Sequence, residues 1–144
     1  MLIPPLPDGQ VAILATVGED GPVAIPVSAI RRRGPDRLLI ALAGRRASVT
    51  RMRADPRVGV SLTGPGVALA IEGTARIVAD PLPGAENMVA VEIEVRNAWD
   101  ARSRTTAVDD GIRWHWTDRE SADRHEAVLA ALDAFNDGIE ARTA

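Results

Sequence analysis

Residues 11–43, VAILATVGEDGPVAIPVSAIRRRGPDRLLIALA, decide how this chain is read. Three apolar runs, at 11–17, 23–30 and 37–43, are separated only by the turn-forming clusters GEDGP and RRRGPD. Runs of this length, rich in Val, Ile and Leu and bounded by Gly, Pro and Asp, read as strands, and the first two form a β-hairpin. Pro26 cannot donate to a ladder, so it is expected at a sheet edge, at a bulge or beside a ligand. A parallel sheet would need a crossover helix between strands, and the spacing leaves none.

Downstream the pattern changes once and then returns. In residues 46–54, RASVTRMRA, Val49 and Met52 are three apart with polar residues between them, and Asp55–Pro56 stops the segment. This predicts a short helix after the third strand, because a residue preceding proline disfavours the α conformation. Strands follow at 57–63 (RVGVSLT) and 67–79 (VALAIEGTARIVA), the second with Gly73 at an expected bulge, and then a loop at 80–85. In 89–95, VAVEIEV, Val89, Val91, Ile93 and Val95 alternate with Glu92 and Glu94, the pattern of a half-buried antiparallel strand. A polar stretch, 97–111, holds Trp99 and a loop, and IRWHW at 112–116 is expected as a last strand with Ile112, Trp114 and Trp116 on one face.

Thr117 and Glu120 have capping-box spacing, so a C-terminal helix is expected to begin there. Ala122, Leu129, Leu132, Phe135 and Ile139 supply its apolar stripe, and Gly138 its C-cap. The expected fold is mostly β: a small barrel of about seven antiparallel strands with two helices. At 144 residues it should be a single domain, 1–144.

Composition narrows the function classes. The chain is 46% hydrophobic and 26% charged, outside the range of a disordered protein. No run approaches the roughly 18 apolar residues of a membrane span. The start MLIPPLPDGQ lacks a basic n-region, which makes the cytoplasm the expected compartment and a membrane role unexpected. With no cysteine, thiolate metal sites, disulfides and cysteine nucleophiles are excluded. All 17 basic residues are arginines, a bias that coding composition explains, yet their distribution is uneven. Residues 31–57 hold nine arginines against Asp36 and Asp55, while 109–144 hold four against nine acids. A net charge of −3 argues against general nucleic-acid binding, and 31–57 lack the aromatics that a single-stranded site would interleave.

Gly44–Arg57 is the sharpest site signal, because a strand ends, the chain turns and a helix starts among arginines and hydroxyls. Free N–H groups and the dipole at a helix start favour an anion, and Arg45, Arg46, Ser48 and Arg51 can add charge-assisted hydrogen bonds. The other reading is a solvated arginine-rich helix. His115 and His125 have no third ligand at metal spacing, and His115 reads as a surface strand residue. Trp99, Trp114 and Trp116 are expected in the core or at a dimer interface, the alternative being that one stacks on a planar ligand. No nucleophile elbow, phosphate loop or dinucleotide fingerprint is present, so any chemistry should be carried by a cofactor.

The order of these motifs resembles the pyridoxamine 5′-phosphate oxidase-like family. The hairpin LATVGEDGPVAIPVSAI, the strand RLLIALA, the helix RRASVTRMRADPRV and the strand VGVSLTG carry the likeness over about residues 10–80. The resemblance implies a flavin-binding split β-barrel and a homodimer that holds FMN, or a deazaflavin coenzyme, in clefts between protomers. It puts the cofactor phosphate at Arg45–Arg51 and the isoalloxazine near Pro26, Val27, Ala41 and Leu42. It further implies an oxidoreductase transferring hydride to or from a small molecule, the alternative being a non-catalytic flavin- or ligand-binding protein on the same scaffold. The chain departs from the family pattern where a lysine is common, having Ala47–Ser48, and where asparagine or glutamine is common, having Arg51. Arg46 and Arg51 flank the helix start and replace the lost charge. The family's C-terminal substrate residues have no counterparts, so vitamin B6 oxidation is not expected.

Overall fold

The structure, a computed structural model, describes residues 3–6 and 9–143, with side chains described as far as Gly138. Seven strands and two helices follow one another among the described residues: β1 (Ala12–Gly18), β2 (Gly21–Val27), β3 (Ile30–Arg32), β4 (Arg37–Ala43), α1 (Ala47–Ala54), β5 (Arg57–Gly64), β6 (Val67–Ala79), β7 (Met88–Asp100) and α2 (Arg119–Thr143). They form one curled antiparallel sheet in the order β2-β1-β5-β6-β7-β4-β3.

The two edge strands of this sheet, β2 and β3, are consecutive in the chain. Only Ser28 and Ala29 separate them, a span of about 10 Å when extended. The sheet must therefore curl until its edges nearly meet, which makes a barrel split along that seam. The amide of Ala41 on β4 donates to the Ala29 carbonyl at 3.0 Å and holds the seam's far side. Pro26 sits on β2, whose only partner is β1, so its missing N–H removes no ladder bond on the open side.

Inside the barrel Leu14, Leu38, Ile40, Leu62, Val89, Val91 and Ile93 are fully buried. On the opposite face of β4 and β7, Leu39, Ala41 and Ala90 pack against Ala131 and Leu132 of α2. Both faces of β4 are thus covered, which explains its uninterrupted apolar sequence, and the alanines let the helix approach closely. Arg31 ties the same helix to β3, its Nε donating to Asp133 at 2.7 Å.

Several expectations are corrected. The run 23–30 is not one strand, because it breaks at the seam and β3 begins at Ile30. Strand β7 extends to Asp100 and includes Trp99. Glu94 is exposed as expected, but Glu92 is 5% exposed rather than solvent-facing, since Arg33 and Arg76 both reach its carboxylate. Residues 112–116 are not a strand. Strands β2 and β5 already occupy both edges of β1, and only a bridge from Ile112 to Val11 remains.

Helix α2 is capped one residue later than expected. The Asp118 carboxylate, not Thr117, accepts from the Ser121 amide at 2.7 Å, and aspartate caps as well as threonine does. Gly138 does not end the helix, which continues to Thr143 without a positive φ there. The Ile139 side chain lies outside the described residues. Gly73 does mark an irregularity between β6 and β7, and a Cβ on it would sit 2.6 Å from the Glu94 carbonyl oxygen.

Candidate functional site

The split in the barrel opens a cleft of about 270 Å³. Pro26 and Val27 form one side as β2 ends, and Ser28 and Ala29 carry the seam across. Ala41 and Leu42 of β4 supply an apolar floor, and Arg46 stands at one end. Five of the eight residues singled out in the sequence, Pro26, Val27, Ala41, Leu42 and Arg46, are thereby brought together.

The other three are placed differently. Arg45 is exposed in the turn before α1 and does not line the cleft. Ser48 is 2% exposed, and its Oγ lacks a hydrogen-bond partner among the described residues. Arg51 turns away toward β1, where its Nε donates to the Thr16 hydroxyl at 2.8 Å and its Cδ lies over Gly18. The expected pairing of Arg46 and Arg51 about the helix start is therefore not what the structure places side by side.

Arg46 owes its position to the local chain. Its backbone is the N-cap of α1, extended at φ −65° and ψ 142°, and no side chain caps the helix there. The first amides of a helix have no intrahelical acceptor, so this end presents N–H donors beside a guanidinium. Val49 and Met52 hold the helix to the barrel, and Asp55 fastens its exit by accepting from the Arg57 amide at 3.1 Å and its Nε at 3.0 Å.

The opposite wall was foreshadowed only by the alternative of a tryptophan stacked on a planar ligand, and its α2 residues were missed. Trp114 and Trp116 line the cleft together with Arg124, His125 and Val128 of α2. The Trp-His-Trp pattern was legible, but as a strand it pointed to the wrong surroundings. The tryptophans are not core residues: Trp99, Trp114 and Trp116 are 40, 45 and 43% exposed. His115 is at the surface, though not on a strand. His125 lies 5.0 Å from the Trp116 ring, and burial pushes its pKa below the usual 6.5. Glu126 pulls that value up and Arg31 pushes it down. Asn87 also lines the cleft, from a loop with no pattern that could have singled it out.

The cleft thus combines an apolar floor, two arginines, a neutral imidazole and an aromatic wall, and no carboxylate lines it. Such a lining suits an anionic ligand with a large flat apolar part. Among the described residues no group of three His, Asp or Glu side chains is placed to hold a metal ion, and no helix is long and apolar enough to cross a membrane.

Comparison with known proteins agrees with this architecture. A family model described as pyridoxamine 5′-phosphate oxidase matches residues 5–110. No curated protein matches the chain. Among solved structures, one named F420 reductase aligns with a TM-score of 0.57 at 17% identity, covering 63% of this chain and 90% of that one. HupZ of Group A Streptococcus aligns at 0.57 and 15% identity, covering 71% and 90%. A FAD-binding protein of Mesorhizobium loti aligns at 0.51 and 15% identity, covering 62% and 81%. Likenesses at these identities concern the fold.

Proposed function

The chain belongs to the pyridoxamine 5′-phosphate oxidase family, and from that premise we propose that it binds FMN or a deazaflavin in the seam cleft and transfers hydride between that cofactor and a small molecule. The observation that carries this reading is the double role of Arg46. Its backbone occupies the N-cap position of α1, where no side chain caps the helix, and the residue lines the cleft floored by Ala41 and Leu42. One residue therefore joins an uncapped helix start, suited to a phosphate, to an apolar slot suited to a ring.

The chain's own contributions are binding and exclusion of water. Arg46 and the first amides of α1 would hold the phosphate, with Arg45 and Ser48 beside them in the same proposed anion site. Arg51 would join only by giving up Thr16. Pro26, Val27, Ala41 and Leu42 would hold the ring system between β2 and β4. The flavin, when bound, supplies the hydride chemistry that no side chain here can perform.

A cleft of about 270 Å³ is at the small end for a ligand site. A flavin would take only its Arg46 end and extend over β2, where Pro22, Val23, Ala24 and Pro26 are exposed on an unpaired edge. That edge is the surface on which a second copy would complete the site, and the proposed assembly is a homodimer.

A fluorescence titration of the cofactor-stripped protein with FMN, and separately with the deazaflavin coenzyme, tests the reading. Saturable binding weakened about tenfold or more by Arg46→Ala is expected, the range for losing a charge-assisted hydrogen bond. Unchanged affinity in that variant would remove the phosphate assignment. One observation favours the second reading, a binding protein without turnover: among the described residues that line the cleft, His125 is the one histidine and there is no carboxylate to exchange a proton with a substrate. Stoichiometric flavin binding with no reduction by any nicotinamide donor would select it.

A further inference from the structure

The aromatic wall of the cleft is left unused by flavin binding at the Arg46 end. Trp114 and Trp116 are 45% and 43% exposed in a chain that has only three tryptophans and one phenylalanine. Their ring centroids lie 6.4 Å apart with a tilt of 57°, and Trp116 leans on His125 from its other side. Indole surface of this extent would ordinarily be withdrawn from water. These same three side chains also line a second cleft of about 350 Å³, which shares Ser28 with the first. The wall therefore stands between two adjoining clefts and contributes aromatic surface to both.

Charge selects what would lie against it. The first cleft presents Arg124 on the wall side and no carboxylate in its lining. Arg124 is lightly held, by the Ser121 hydroxyl at 3.1 Å and by Glu120 at 3.7 Å. An exposed pair of that length one helical turn apart contributes little, so the guanidinium can turn to a better acceptor. Burial keeps His125 uncharged near neutral pH, so it offers a hydrogen bond rather than a further cation. Glu126 lies beyond the wall, in the second cleft.

We propose that Trp114, Trp116, His125 and Arg124 form a substrate platform for a planar aromatic carboxylate, its ring against the indoles and its acid group on Arg124. The proposal rests on the reading that a flavin takes the Arg46 end, which leaves the tryptophan side of the cleft for the substrate. Stacking on an indole face gives affinity for any flat ring, and a guanidinium adds the bidentate geometry that selects a carboxylate.

Naphthoate is a suitable probe, with naphthamide as its uncharged counterpart. Binding of each to the full-length protein is followed by tryptophan quenching, with and without saturating FMN. Naphthoate should bind the wild type, about tenfold more weakly to Trp116→Leu, and about tenfold more weakly to Arg124→Gln. Naphthamide binding should fall in Trp116→Leu and be unmoved by Arg124→Gln, while FMN affinity should be unchanged in both. Naphthoate binding that survives both substitutions, or no binding by the wild type in either state, overturns the proposal. Loss of FMN affinity in Trp116→Leu overturns it too, by making the wall part of the cofactor site. So does a change of oligomeric state in Trp116→Leu, which would make the wall an interface between copies. Failure of FMN to bind while naphthoate depends on both residues would leave the platform standing and remove the flavin reading alone.

Discussion

Gly111 lies so close to the carbonyl oxygen of Thr63 that a Cβ could not be placed between them. This contact fixes where the last part of the chain leaves β5, three residues before Trp114. It is reinforced by the bridge between Val11 and Ile112 and by the Gly66 amide donating to Val108 at 2.8 Å. The aromatic wall has no ladder to hold it, so these contacts set its position.

Gly111→Ala should therefore act at a distance. The methyl group meets backbone, which cannot yield as a flexible side chain would, and a destabilisation of about 1–3 kcal/mol is expected. Denaturant unfolding measures that cost. The same variant should shift the emission of Trp114 and Trp116 in the folded state, and an unchanged spectrum would show that the wall is held by α2 instead.

Arg33 and Glu92 make an ion pair in which both side chains are at least nine-tenths buried, and Arg76 adds a longer contact at 3.3 Å. Replacing Glu92 by alanine strands the Arg33 charge in a dry site. A loss of about 3–5 kcal/mol is expected by chemical denaturation. The double variant Arg33→Leu with Glu92→Leu should recover much of it, since neither charge is then left alone.

Asp55 links stability to acid pH. Hydrogen bonds from the Arg57 side chain and amide lower its pKa from 3.8 to about 2. A depressed folded value means that the carboxylate's contribution is present above 3.8 and is lost as pH falls toward about 2. The stability difference between wild type and Asp55→Asn should be flat at neutral pH and close within that window. A difference that persists to the lowest pH would show that the ionised form is not what matters.

His125 provides a direct reading of the wall's environment. The chain has two histidines, so ring-proton resonances are readily assigned. His125 should titrate below 6.5, because burial favours its neutral form. Arg31→Gln should raise that value and Glu126→Gln should lower it further. Its contribution to stability is complete above 6.5 and is lost as pH falls through the folded value.

Local pattern was enough for much of this architecture. Arg37–Ala43 is a strand with the bounds its sequence implies, and β6 spans 67–79 with its irregularity at Gly73. Pro56 limits α1, and Val49 and Met52 face inward at their three-residue spacing. On the site, Pro26 was legible as a residue that cannot donate to a ladder and Arg46 as part of a helix start, both short-range features, whereas Val27, Ala41 and Leu42 entered only through the family resemblance.

What depended on tertiary structure was whether a second layer or a free edge existed. Alternation in VAVEIEV shows which residues share a face, but only the docking of α2 on β4 and β7 decides that the opposite face is also covered. The alternation in IRWHW is equally good, yet a strand needs an unpaired neighbour, and both edges of β1 were already taken. Arg51 reads as an anion ligand until the fold brings Thr16 within reach. The sequence by itself therefore determined most of the elements and their inward faces, since these follow from periodicity and turn chemistry. Only the closing of the barrel decided which outward faces, edges and charges were left for a ligand, because those depend on partners far away along the chain.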